Sequence, residues 1–173
     1  MNRITLALLM AAMVAAVCIP ILAQQAPVEE KAEVAKVVPE YVGYKKCKPC
    51  HMKIYKAWEK TSHAKAFQTM IDSVGVDSNC VACHTVGYEQ PGGFVDTTST
   101  PLLTNVQCES CHGPGSLYKK IPIMRDREKA LASGMVLVDE AVCERCHTEE
   151  QSPDFDFEKA KETGVHFVET EKE

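Results

Sequence analysis

The chain has 173 residues, 45% of them hydrophobic but only 6% aromatic, and a formal charge of −5. That length fits one folded domain, and so few aromatic side chains leave a conventional core thin. The acidic balance argues against nucleic acid as a partner, because phosphate backbones are bound by chains with a clear excess of lysine and arginine.

Asn2-Arg3 precede an apolar run from Ile4 to about Ala23, which ends in Gln24-Gln25-Ala26-Pro27. A basic start, an apolar stretch and small residues near its end read as a secretory signal over residues 1–23. The run nearly reaches the length of a membrane span, about 20 residues, and no clean Ala-x-Ala precedes the cut. An uncleaved anchor that tethers the chain to the membrane is therefore the second reading. Cys18 reads as a small apolar residue of this segment. Both readings place the chain in the periplasm, or at least outside the cytoplasmic membrane. Residues 24–42 are rich in Ala, Val, Glu and Lys and read as a flexible spacer. Residues 43–173 form the folded domain.

From Lys45 to Ile71, the residues Ile54, Tyr55, Trp58, Phe67 and Met70 recur at helical spacing, with a break expected near Thr61-Ser62. Residues 85–104 hold Gly87, Pro91, Gly92, Gly93 and Pro101, which predicts loop with a short hairpin at Phe94-Val95. Gly113-Pro114-Gly115 forces a tight turn. A helix over Arg125–Ser133 ends at Gly134, another follows Asp139-Glu140, and residues 153–173 form a charged tail with one helical stretch. The fold class is mainly α, with few short helices and long loops.

Four copies of Cys-x-x-Cys-His punctuate these elements: Cys47-Cys50-His51, Cys80-Cys83-His84, Cys108-Cys111-His112 and Cys143-Cys146-His147. They use eight of the nine cysteines and four of the six histidines. Two thiols three positions apart can form thioethers to the two vinyl groups on one porphyrin edge, and the adjacent histidine then binds the iron from below. This is the attachment signature of c-type haem. Zinc sites pair two Cys-x-x-Cys units per ion and do not need a histidine after each. Thioredoxin-like chemistry uses one such motif, and a disulfide framework leaves the histidines unexplained. Four haem c groups follow from the spacing. They also answer the shortage of aromatic residues, because the macrocycles themselves form most of the interior around which the helices and loops wrap.

Outside the motifs only His63 and His166 remain, so two histidines cannot complete the sixth positions of four irons. On a continuous helix His63 lies about 18 Å beyond His51, too far to sandwich the same iron, and so it reaches another. His166 is either a distal ligand or a solvated tail residue.

The motifs and their surroundings resemble the tetrahaem cytochrome c-554 family. The resemblance runs from Lys46-Cys47 through Trp58 and Ser62-His63-Ala64-Lys65-Ala66, through Cys80 to His84 with Gly87 and Gly92-Gly93. It continues through Cys108-Glu109-Ser110-Cys111-His112-Gly113-Pro114-Gly115 to Cys143–His147. It implies stacked haem pairs, a distal role for His63 on the fourth haem and for His166 on the third, and a five-coordinate second haem at His84. The family's remaining distal histidine falls shortly after Gly113-Pro114-Gly115, where this chain has none. Met124 is a candidate substitute there, with Met135 behind it, and a histidine from a neighbouring subunit is the other option. A thioether is a softer ligand that raises the reduction potential.

The leading functional expectation is an exported electron carrier between redox partner proteins, more a carrier than an enzyme. A small reductase of NO, nitrite or peroxide at the open iron is the second. A self-associating subunit of a haem filament is the third.

Overall fold

The computed structural model describes residues 37–163. The expected signal or anchor over residues 1–23, most of the spacer, and His166 lie outside them. Among the described residues the regular structure is helical, in eight short α-helices and three single turns of 3-10 helix, without a β-strand. None of these helices is long and apolar enough to cross a membrane.

Several of these short helices begin at a capping side chain or end at a glycine that cannot continue them. The first 3-10 turn, Tyr44–Lys46, leads through Cys47 and Cys50 into α1, Met52–Trp58. The expected break follows at residues 59–62, with a 3-10 turn at His63–Lys65 and α2 at Ala66–Val74, stopped by Gly75 at φ 75°. In α3, Ser78–His84, the Asp77 carboxylate caps the first turn by accepting from Asn79 N at 2.7 Å. A capping box of Gln107 and Ser110 opens α4, Cys108–His112, and Gly113 at φ 74° closes it. Two further helices, α5 at Ile121–Met124 and α6 at Arg127–Ala132, pack on each other, the second capped by Asp126. Asp139 caps α7, Glu140–Glu144, as the Asp139-Glu140 pair predicted, and α8 spans Phe157–Thr163. A side-chain cap of this kind contributes about 1 kcal/mol.

The apolar core is small. Met70, Val81, Val86, Phe94 and Leu103 form one buried cluster, with Tyr41, Phe67 and Tyr88 packed against it. This cluster sits under α2 and α3. Residues 85–104 form a loop, and the expected hairpin at Phe94-Val95 is absent. Instead Thr85 and Thr104 make a single antiparallel bridge. Val86 N donates to Leu103 O at 2.8 Å, and Phe94 N donates to Val86 O at 2.8 Å. The Phe94 ring packs on Phe67, centroids 5.8 Å apart, and its backbone N–H is taken by Val86 O within the fold-back, not by a hairpin partner. Gly93 makes the fold-back tight, since a Cβ there would lie 1.7 Å from Gly87 O.

Residues 40–42, at the end of the expected spacer, are built into the body. Glu40 N donates to Ser116 Oγ at 2.8 Å, and the Tyr41 ring fills the space where a Gly87 side chain would stand.

Candidate haem-attachment sites

Each motif occupies one helical turn. Cys47, Cys50 and His51 link the first 3-10 turn to α1, with His51 N donating to Cys47 O at 3.0 Å. Motif two ends α3, motif three makes up α4, and motif four begins in α7 and runs just past it, with His147 N donating to Cys143 O at 2.9 Å. Side chains three apart on a helical turn share a face, so each pair of sulfurs points to one side, as two bonds to one porphyrin edge require.

The histidines are oriented from behind. His84 Nδ1 meets Ala66 O at 2.5 Å, His112 Nδ1 meets Val136 O at 3.0 Å, and His147 Nδ1 meets Ser152 Oγ at 3.1 Å. An Nδ1–H engaged in this way fixes the tautomer and leaves Nε2 as the metal-binding nitrogen. Phe155 stacks on the His147 ring at 4.4 Å between centroids and limits its rotation. The sequence gave no sign of these supporting groups, because backbone carbonyls carry no signature.

The motifs meet in a different order from that in the chain. The Cys47 and Cys108 side chains hydrogen-bond, joining motif one to motif three. That bond, with burial, pushes the Cys47 thiol well up, and the same bond lowers Cys108. Arg145 donates to Ser110 O at 2.7 Å and joins motif three to motif four. Cys83 Sγ lies 3.9 Å from Arg145 O and hydrogen-bonds Cys146, joining motif four to motif two. Burial, then the Cys83 bond, pushes the Cys146 thiol up to about 12. The spatial series is thus first, third, fourth, second.

A cavity of about 890 Å³ opens between motifs one and three and reaches Cys143 of motif four. Its polar corners include Cys47, His51, Cys108, Cys111 and His112, and its walls include Ile54, Trp58, Val106, Tyr118 and Val138. Val138 is 40% exposed here although it is aliphatic. A broad, mainly apolar slot with thiols and imidazoles at its margins fits a large flat macrocycle. Met124 and Met135 both line it. Met135 directly precedes Val136, whose carbonyl stands behind His112, which places it by the proximal side of the third site. Met124 ends the separate helix α5.

His63 comes to motif four. Its ring lies 5.9 Å from that of His147, edge to face. With metal–imidazole bonds of about 2 Å each, two rings on one ion stand with centroids about 6 Å apart. Burial first, and the His147 imidazole second, lower the His63 pKa, which keeps the ring neutral as metal ligation requires.

The sequence reading passed over Glu109, the most buried acidic residue described, at 2% exposure. Its carboxylate accepts from Gly43 N at 2.7 Å, Gly115 N at 2.6 Å and Val42 N at 3.0 Å. Beside it the Tyr118 phenol, held protonated by burial and by the Glu109 charge, donates to Gly113 O at 2.7 Å. The signal that could have revealed this clasp is Gly113-Pro114-Gly115. A Cβ on Gly115 would stand 3.0 Å from Glu109 Oε1.

Comparison with known proteins agrees with this geometry. A family model described as "Cytochrome c554 and c-prime" matches residues 46–113. Cytochrome c-554 of Nitrosomonas europaea is 36% identical over 95 aligned positions, covering 46% of this chain. The chain spans 40% of that relative's length. The solved structure of the reduced state of cytochrome c554 from the same organism superposes with a TM-score of 0.60 at 25% identity, over 72% of this chain and 83% of the other.

Proposed function

We propose that this chain, a protein of the cytochrome c-554 family, is an exported tetrahaem c-type cytochrome that carries electrons between redox partner proteins. The observation that carries the reading is the meeting of four thiol-pair turns in one continuous series, three of them with the adjacent histidine braced at Nδ1. Covalently bound haem c would supply reversible one-electron chemistry at each turn. The residues supply the rest: eight cysteines to hold the groups, four proximal histidines to ligate them, and aliphatic walls to exclude water. Axial ligand, burial and nearby charge then set the potentials.

The proposed ligand set follows from the same contacts. His51, His84, His112 and His147 are proximal, and His63 is distal at the His147 site. The thioether of Met124 is distal at the His51 site, because α5 brings it to the cavity that His51 lines. The second site, at His84, keeps an open position. His166 remains the proposed distal ligand of the third site. With that position open, a second reading as a small reductase acts at the His84 site.

Mass spectrometry of the exported protein tests the core of the reading, and a gain of four haem groups is expected. Polypeptide without them would end it. Electron paramagnetic resonance of the ferric form, with CO titration of the ferrous form, is expected to find at least one high-spin, CO-reactive haem. Four low-spin, CO-inert haems would refute the ligand set. Met124→Ala is expected to convert one further haem to the high-spin form and remove any thioether-to-iron charge-transfer band. An unchanged spectrum would exclude Met124. Turnover of NO, nitrite or peroxide that stops when the open iron is blocked would favour the reductase.

A further inference from the structure

The charge of this chain is segregated along the series of haem turns. Residues 45–65 contain seven lysines and a single acid, Glu59, in a protein whose overall charge is −5. Residues 139–163 contain nine acids against three bases. The first stretch carries motif one and the second carries motif four, and both contribute walls to one cavity, the first through His51 and Tyr55 and the second through Cys143 and Phe157.

The lysines are displayed on one face by the local structure. Lys53, Lys56 and Lys60 fall at positions i, i+3 and i+7, on or just beyond α1, and all three are exposed. That spacing places them in one stripe. The opposite face of the same helix turns Ile54 and Trp58 into the cavity shared by motifs one and three. Lys45 and Lys46, on the preceding 3-10 turn, are also exposed. Lys48 is held over the Tyr55 ring at 4.1 Å. The only acid in the stretch is engaged, since Tyr55 Oη donates to Glu59 at 2.6 Å. Cys50, the outer thiol of motif one, is itself exposed. Exposed lysines therefore flank the one described motif cysteine that is exposed to solvent.

We propose that this lysine face is the docking surface for an acidic electron-transfer protein, and that exchange with such a partner takes place at the first haem site. The inference rests on the electron-carrier reading. A local cationic face steers an anionic partner even when the net charges of the two proteins repel, because exposed charges farther away than the Debye length, about 10 Å at 0.1 M salt, are screened. The acidic stretch that carries motif four, with Glu140, Glu144, Glu149 and Glu150 exposed, repels such a partner.

The test is stopped-flow reduction of the ferric holoprotein by a reduced acidic plant-type ferredoxin, one electron passing per encounter, across a series of salt concentrations. The rate is expected to fall as salt rises, the sign of attraction, although both proteins are acidic. Charge reversal in K53E/K56E/K60E is expected to slow the reaction about tenfold or more at low salt and to flatten or invert its salt dependence. The milder K53Q/K56Q/K60Q is expected to lie between. Reversal in the acidic stretch, in E144K/E149K/E150K, is expected to leave the rate at low salt within about twofold, because the ferredoxin does not dock there. Haem content and absorbance establish that each variant is folded. A wild-type rate that rises with salt, or lysine variants no slower than wild type, would overturn the docking face. Failure of dithionite to reduce the wild-type protein would instead strike the electron-carrier reading.

Discussion

Replacing Cys108 and Cys111 together by serine is expected to remove one haem from the holoprotein and to cost the fold most of its remaining stability. Structural metal ligation contributes on the order of 10 kcal/mol in small metal-dependent domains, similar to the whole stability of an ordinary domain, about 5–15 kcal/mol. The third site is where that loss spreads furthest. Its helix α4 carries the Glu109 clasp, contacts motif one through Cys47 and receives Arg145 from motif four at Ser110 O. The apolar cluster of Met70, Val81, Val86, Phe94 and Leu103 is too small to hold the remainder together. Mass spectrometry and limited proteolysis of the purified protein check this. Three-haem protein, as abundant and protease-resistant as wild type, would contradict it.

Glu109→Ala is expected to destabilise the holoprotein by about 3–5 kcal/mol while leaving all haems attached. The substitution strands the N–H groups of Gly43, Gly115 and Val42, which now share one carboxylate. Each buried donor left unpaired costs about 1–3 kcal/mol. Glu109→Gln keeps the shape but presents an amide nitrogen to one set of donors, so about half the loss is expected. Denaturant unfolding followed at the haem absorbance measures both. A change below about 1 kcal/mol for the alanine variant would show that the clasp contributes little.

Much of the architecture was legible because covalent haem attachment is local chemistry. Two thiols and an imidazole within five residues need one helical turn, and the structure provides one at each motif. The break after Trp58 and the stop at Gly134 were equally visible, since turn-forming residues and glycine act on their own neighbours. The Phe94 loop was misread because alternating apolar residues predict a buried side chain without saying which element buries it. Glu109 was hidden for the opposite reason: an acid between two cysteines looks solvated, and its N–H partners lie 66 and 67 residues earlier as well as six later. The order in which the motifs meet depends entirely on such distant contacts, and no local pattern encodes it.

The Glu109 clasp also has a topological consequence. By tying Val42 to Gly115 it closes the intervening backbone into a loop that holds three of the four attachment turns, and the match to the family model, residues 46–113, falls wholly inside that loop. Lengthening a surface excursion costs only about 0.6 kcal/mol per doubling, so insertions can accumulate in the arm that carries the fourth turn without loosening the knot. Within the loop, a change in length near either fastening would pull the knot open, and this chain is free to vary mainly beyond it.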